Sequence, residues 1–311
     1  MNKFAYGMIS LGIIIAVIFG FLGFLHPAFD TFSHFRWHFG LTLLALTIFG
    51  AIAKVRRVPV IVLLFAGLAI WASNAGNRNT LDTAPIQIAN AKTYRMLTFN
   101  IQFNNPEPDS ALELIKKTEA DILSLTETSR YWEPKLQGLI KKYPYQFHCP
   151  EWSKIGGSMI WSKFPLRAKN DYCHTYAALG MTEIQLEGKW LPIGIVHLRW
   201  PWPASGPKQI EALKPFLSSI GENGIISGDF NAATWSHAVN KFARFAGMEV
   251  ATGFGGTWML NLFPINLASM FGLPIDNVMA KGDVIVKKVE TLDAAGSDHL
   301  PLLIEFAVKP S

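Results

Sequence analysis

The chain has 311 residues, 50% of them hydrophobic and 16% charged, with a formal net charge of +5 and two cysteines. Half apolar is near the globular norm, so where the apolar residues lie matters more than how many there are. Residues 92–311 carry 22 Lys plus Arg against 21 Asp plus Glu, which leaves the positive excess in the first 91 residues and argues against a dedicated duplex-DNA binder with a basic face.

Three runs without a charged residue open the chain, over 4–25, 37–53 and 58–75. Each lies near the ~20 residues that a helix needs to cross a bilayer, so three transmembrane helices are expected within residues 1–75 in preference to three buried core helices. No short apolar core with a small-residue cleavage site precedes the second run, which disfavours a cleaved signal peptide. Lys3, together with Lys54, Arg56 and Arg57 between the second and third runs, places the amino terminus and an inner turn in the cytoplasm; Arg36 and Arg78 run against that bias. The third span then leaves the cytoplasm, and the rest of the chain is expected on the far side, at the periplasmic face of an inner membrane in a bacterium. His26, His34 and His38 invite a metal-site reading, but their neighbours Phe29, Phe32, Phe35 and Trp37 fit an interfacial belt better.

Residues 76–91, polar at their start and containing Pro85, read as a linker to a domain over 92–311. A strand is expected over 94–101, a helix over 110–117 opened by the capping box Ser110-Ala-Leu-Glu113, and an apolar strand over 121–126 that ends at Glu127. Further strands are expected over 157–162, 181–186, 191–197, 224–227, 275–280, 284–289 and 300–307, with helices over 207–220 and 236–245. Many strands with few helices suggest two sheets packed face to face with helices outside. Cys149 and Cys173 both fall in this domain, where a disulfide and two free buried thiols are equally open.

Asn100, Glu127, His197 and Asp229 each end an apolar strand, where side chains can converge on a crevice. Each alone has a plain explanation as a turn cap, a solvated strand end, a core histidine or a loop residue. Together with Gly228-Asp229-Phe230-Asn231 and Ser297-Asp298-His299 they form a set suited to metal-assisted phosphoester hydrolysis. A phosphodiester repels an anionic nucleophile, so its hydrolysis calls for a hard cation, a positioned water and donors for the developing charge.

The segments Leu97-Thr-Phe-Asn-Ile-Gln102, Leu123-Ser-Leu-Thr-Glu-Thr128, Ile195-Val-His-Leu198, Ser227-Gly-Asp-Phe-Asn-Ala232, Pro274-Ile-Asp-Asn277 and Gly296-Ser-Asp-His-Leu-Pro301 resemble the endonuclease/exonuclease/phosphatase superfamily, in its order. The resemblance implies an α/β four-layer sandwich of two packed mixed sheets flanked by helices, and a Mg2+- or Mn2+-dependent attack of water on phosphorus. It implies metal roles for Asn100, Glu127 and Asp298. It also implies that Asp229 orients or deprotonates the water, that Asn231 donates to phosphoryl oxygens, and that His197 and His299 stabilise the phosphate, with Asp276 fixing the tautomer of His299. Asn277 stands where the family often has an aromatic residue or histidine, which points to an altered pocket wall. Gln102 and Asn104 both suit a second donor position after Asn100.

Trp200, Trp202, Trp235 and Trp258 crowd these segments, as a substrate rim or as packing, and Arg199 is either a phosphate clamp or a solvated arginine. The expected protein is a membrane-anchored phosphodiesterase acting outside the cytoplasm on nucleic acid or phospholipid head groups. Its partners are the lipid bilayer and the phosphoester; no protein partner is inferable. The alternative is a membrane protein that uses a catalytically silent hydrolase-like domain for binding or scaffolding.

Overall fold

Period-two alternation of apolar residues builds the body of the protein, and the computed structural model describes residues 3–55, 58–75, 91–150, 153–174, 178–260 and 262–309. Four helices come first: α1 (Lys3–Phe21), α2 (Pro27–His34), α3 (Arg36–Ile52) and α4 (Val58–Ala75). Then follow β1 (Thr93–Asn100), α5 (Pro108–Thr118), β2 (Ile122–Thr128), α6 (Glu133–Leu136), β3 (Tyr145–Cys149), β4 (Gly157–Ser162), β5 (Leu166–Cys173) and β6 (Leu179–Leu186). The chain continues through β7 (Lys189–His197), α7 (Gly206–Leu217), β8 (Gly224–Asp229), α8 (His237–Ala246), β9 (Glu249–Val250), α9 (Ala268–Phe271), β10 (Asp276–Lys281), β11 (Val284–Thr291) and β12 (Leu302–Val308).

The strands form two six-stranded sheets, ordered β11-β12-β1-β2-β4-β3 and β5-β6-β7-β8-β10-β9. Each sheet is mixed: β1–β2 and β7–β8 are parallel pairs and the other pairings are antiparallel. Tyr94, Met96 and Ile122 of one sheet meet Ile193, Ile195 and Ile225 of the other in a shared core. The alternate residues Leu97 and Phe99 face outward onto Ile115 of α5 and Leu136 of α6. Val196 and Ile226 likewise face Leu213 of α7 and Phe242 of α8. The result is the expected sandwich of helices, sheet, sheet and helices.

Several local expectations are corrected. The capping box at Ser110 does not form: α5 starts earlier, with Pro108 in its first turn, and has no side-chain cap hydrogen bond. Strands β3 and β5 escape the sequence reading because they are sheet edges, half polar or charged, with little burial to advertise them. The two cysteines are joined: Cys149 at the end of β3 and Cys173 at the end of β5 form a disulfide with Cα atoms 5.5 Å apart, stapling an edge of one sheet to an edge of the other.

The three expected membrane spans reduce to one. Among the described residues only α1 is long and apolar enough by itself; α2 and α3 qualify only as a single span bent by 59°, and the apolar stretch Val60–Ser73 of α4 is shorter. The 17 residues of α3 rise about 26 Å, short of the ~30 Å hydrocarbon core. The expected outer loop over 26–36 is largely helix α2, started by Pro27 and capped by His26, whose Nδ1 accepts from Ala28 N at 3.1 Å. Arg56, Arg57, Arg78 and the linker over 76–90 lie outside the described residues.

The amino-terminal helices dock on the sandwich through polar contacts. The Asp30 carboxylate, 3% exposed, accepts from His237 N at 2.8 Å and Ala238 N at 2.9 Å, the first amides of α8. Trp235 Nε1 donates to the Ser33 carbonyl at 2.7 Å, and His38 Nε2 donates to the Phe271 carbonyl at 2.6 Å.

Candidate active site

The inward-facing rows of the two sheets end in polar side chains at one end of the sandwich. In β1 the row Tyr94, Met96, Thr98 ends at Asn100; in β7 the row Ile193, Ile195 ends at His197; in β8 the row Ile225, Ser227 ends at Asp229. Parallel pairing sets His197 directly opposite Asp229, and β10, running antiparallel, starts with Asp276 opposite Asp229 on the other side. Beneath them the inward-facing pair Ser227 and Ser124 share a hydrogen bond of 3.2 Å between the sheets.

Glu127 reaches the site differently. Alternation after Thr126 would send it to the outer face, but the β2–β4 register slips between Thr126 and Thr128, and Glu127 takes a left-handed backbone with φ 59°. The bulge turns its carboxylate back toward the other sheet, a local strain of the kind found at functional positions. Gly228 is required by crowding: with φ 139°, it lies where a Cβ would overlap the Val196 carbonyl oxygen.

The resulting network is centred on Asp229. Asn100 Nδ2 donates to Glu127 Oε1 at 3.0 Å and Asp229 Oδ2 at 3.1 Å. Asn231, also left-handed at φ 49°, donates its backbone N–H to Asp229 Oδ1 at 2.8 Å. His197 Nε2 lies 3.8 Å from Glu127 Oε1 and 3.7 Å from Asp229 Oδ2. His299 Nδ1 donates to Asp276 Oδ2 at 2.8 Å, and its Nε2 points at Asp229 Oδ2, 3.7 Å away. Phe103 N donates to Glu127 Oε2 at 2.9 Å, and Ser297 Oγ ties the last loop to β1 by donating to the Asn100 carbonyl at 2.7 Å.

Burial sets the charges. Asp229, 1% exposed, has its pKa pushed up to about 6 by loss of hydration, reinforced by Asp276 and opposed by His299 and His197. Burial alone would lower His299, but the Asp276 and Asp229 carboxylates outweigh it and hold the imidazole up to about 10. A cationic Nε2–H therefore faces a carboxylate poised near neutrality.

These groups line a cleft of about 490 Å³ whose walls include Glu127, His197, Arg199, Trp200, Asp298 and Trp258. Trp258 Nε1 donates to Asp298 Oδ2 at 3.2 Å, and Trp200 packs edge-on against Trp258 with ring centroids 5.7 Å apart. Trp200 and Trp258 are thus rim residues, whereas Trp235 binds the amino-terminal helices and Trp202 is exposed.

All eight residues singled out in the sequence gather here, with two refinements. Asn231 Nδ2 donates to the Leu198 carbonyl at 2.8 Å and Asp229 Oδ2 at 3.3 Å, so its donors point inward and hold Asp229. Asn277 does not alter the pocket wall: it faces the outer side of β10 and donates to the Ala232 and Ile275 carbonyls. Neither Gln102 nor Asn104 lines the cleft; Gln102 contributes its backbone N–H to Asn100 Oδ1. Thr257, which receives the Asp276 backbone N–H at 3.2 Å, was not foreseeable, since an isolated threonine in a glycine-rich loop carries no signal.

The donor set fits a hard cation. Glu127 and Asp298 bring carboxylates to the cleft wall, oxygen ligands of the sort magnesium prefers, and Asn100 orients Glu127 by donating Nδ2 to its Oε1. Asp229, Asp276 and His299 also offer ligand atoms within 4.8 Å of one another, but the Asp276–His299 hydrogen bond already engages two of them.

The sequence model of the endonuclease/exonuclease/phosphatase family matches residues 97–299. No curated protein sequence matches the chain. Among solved structures, TDP2 of D. rerio complexed with single-strand DNA product is similar at 13% identity and TM-score 0.57, over 70% of this chain and 100% of that one. The human nocturnin catalytic domain with bound sulfate is similar at 18% identity and TM-score 0.51, over 70% of this chain and 94% of that one. A double mutant of Staphylococcus aureus beta toxin with bound magnesium ions is similar at 15% identity and TM-score 0.50, over 70% and 100%. At these identities the likeness is one of fold.

Proposed function

The chain belongs to the endonuclease/exonuclease/phosphatase family, and on that premise we propose that it is a divalent-metal-dependent phosphoesterase that hydrolyses phosphodiesters. The observation that carries this reading is the meeting of Asn100, Glu127, His197, Asp229 and His299 in one network, each with a polar atom within 3.8 Å of another member. The fold alone would not carry it, because one scaffold serves many chemistries.

In this reading Asp229 orients the attacking water and takes its proton, a task suited to a carboxylate near neutral pKa. Asn100 and Asn231 hold it in place. His299, kept cationic by Asp276, presents Nε2–H to the charge that grows on the phosphoryl oxygens, and His197 supports the same charge from β7. Glu127 and Asp298 would hold magnesium or manganese, with Asn100 ordering Glu127 for that task. A cation there neutralises phosphoryl charge and eases ionisation of a bound water. The D. rerio neighbour with its DNA product and the S. aureus neighbour with its magnesium support a phosphoester substrate and a hard cation.

The amino-terminal helices support membrane anchoring, with α1 crossing and the α3–α4 hairpin packed beside it. The Cys149–Cys173 disulfide supports a catalytic domain on the oxidising, extracytoplasmic side. The test is a panel of nucleic acids, phospholipid vesicles and a soluble phosphodiester, each with magnesium and with chelator. Magnesium-dependent turnover of any member supports the assignment; no turnover of any member favours the silent-domain alternative.

A further inference from the structure

The chain contains no charged side chain between Val250 and Ile275. Part of that stretch, the loop that leaves Trp258 and runs through α9, exposes large apolar side chains to an unusual degree. Leu262 is 84% exposed, Met270 68% and Leu260 58%, with Phe263, Phe271 and Leu267 also exposed. A patch of that kind on a soluble surface marks a contact site. Its position names the contact. The Phe271 carbonyl accepts from His38 in the first turn of α3, and Met270 and Ser269 share a small cavity with Trp37 and with Ser73 at the end of α4. The loop therefore lies against the end of the helical bundle that faces the sandwich, beside the exposed Phe35, whose ring centroid lies 5.9 Å from that of His38.

The same loop begins at the cleft. Trp258 lines the cleft wall and holds Asp298, and Trp200 bridges Trp258 to His34 of α2, its ring centroid 5.8 Å from that of His34. A second opening shares Arg199 and Ala204 with the cleft and extends to His26 and Pro27 at the start of α2. Trp258 at the start of the apolar loop and His34 of the amino-terminal helices thus meet through Trp200 at one wall of the cleft.

We propose that residues 258–260 and 262–271 form a bilayer-docking surface, set into the headgroup region beside the ends of α3 and α4, so that the cleft opens onto the membrane surface and receives phosphoesters carried by lipid. The chemistry rests on the phosphoesterase reading above; the docking does not. Because the loop is uncharged, its attachment is apolar and persists at high salt, unlike adsorption of a basic patch.

The test uses the full chain reconstituted in phosphatidylcholine vesicles. An environment-sensitive fluorophore is attached to Leu262→Cys, the native cysteines being joined to each other, and to Glu222→Cys as a control just before β8, at the opposite end of that strand from Asp229. Lipid-borne quenchers placed near the headgroups should quench the Leu262 probe at least about threefold more than the control, at low and at high salt. Equal quenching at the two positions, loss of the difference in high salt, or shielding that depends on protein density rather than on lipid would overturn the docking. In a second arm, L262D/F263D should slow hydrolysis of vesicle phospholipid by about tenfold while leaving a soluble phosphodiester within about twofold of wild type. Turnover of the soluble diester by the wild type with no turnover of vesicle lipid would refute the lipid substrate. No turnover of either would refute the hydrolase reading, while the quenching result still decides the docking.

Discussion

A carboxylate as buried as Asp229 opposes folding wherever it is ionised. Its pKa in the folded protein, about 6 against an ordinary 3.8, means that the folded state binds the proton more tightly, so the penalty is absent below pH ~4 and complete above pH ~6. At neutral pH it amounts to at most about 3 kcal/mol. Asp229→Asn cannot titrate and should lack this penalty, so its unfolding free energy in chelator should gain on that of the wild type by about 1–3 kcal/mol between pH ~4 and ~7, while its absolute stability carries the cost of turning an amide NH2 toward the Asn100 and Asn231 donors. Denaturant unfolding at several pH values measures it; a stability difference between variant and wild type that does not change over that range would show that Asp229 is not a strained functional group. Asn100, His197 and Asp229 were legible in the sequence because each closes a row of inward-facing apolar residues. Glu127 was legible too, as the end of an apolar strand, but its route into the site was not, because alternation points it outward and only the bulge at φ 59° brings it back.

At the scale of elements, central strands announce themselves by continuous burial and edge strands do not. β1, β2, β7 and β8 were readable for that reason, whereas β3 and β5, with polar faces toward solvent, became evident only from their pairing. The disulfide holds these two edges together across 24 residues of sequence. Chain-entropy reasoning for a loop of that size gives about 3.5 kcal/mol, so a Cys149→Ser and Cys173→Ser double variant should unfold more easily by roughly that amount. Unfolding with and without reductant checks it, since reductant should destabilise the wild type and leave the variant unmoved. A second junction of elements is the capping of α8 by Asp30. Asp30→Ala leaves two buried amides without their acceptor and should cost about 1–2 kcal/mol, with Asp30→Asn milder because its carbonyl oxygen still accepts. Equal stability of all three forms in thermal unfolding would mean that the amides find water instead.

Over the whole molecule, the apolar amino-terminal runs were legible as helices, but the short α2 between them was not. The extents of α1, α3 and α4 match those runs to within a few residues; what composition cannot see is that Pro27 starts a helix and that α2 turns across the end of α1 to meet the sandwich. The consequence is a sandwich domain whose cleft has one wall connected, through Trp200 and His34, to the amino-terminal helices. The central claim, that two sheets bring one phosphoester-hydrolysing centre together, is tested by initial rates of a soluble phosphodiester with the full-length protein. The wild type should turn over in magnesium and stop in chelator. Glu127→Ala and His299→Ala should each lose at least about a hundredfold while unfolding cooperatively like the wild type. Rates indifferent to chelator, or either variant matching the wild type, would contradict it.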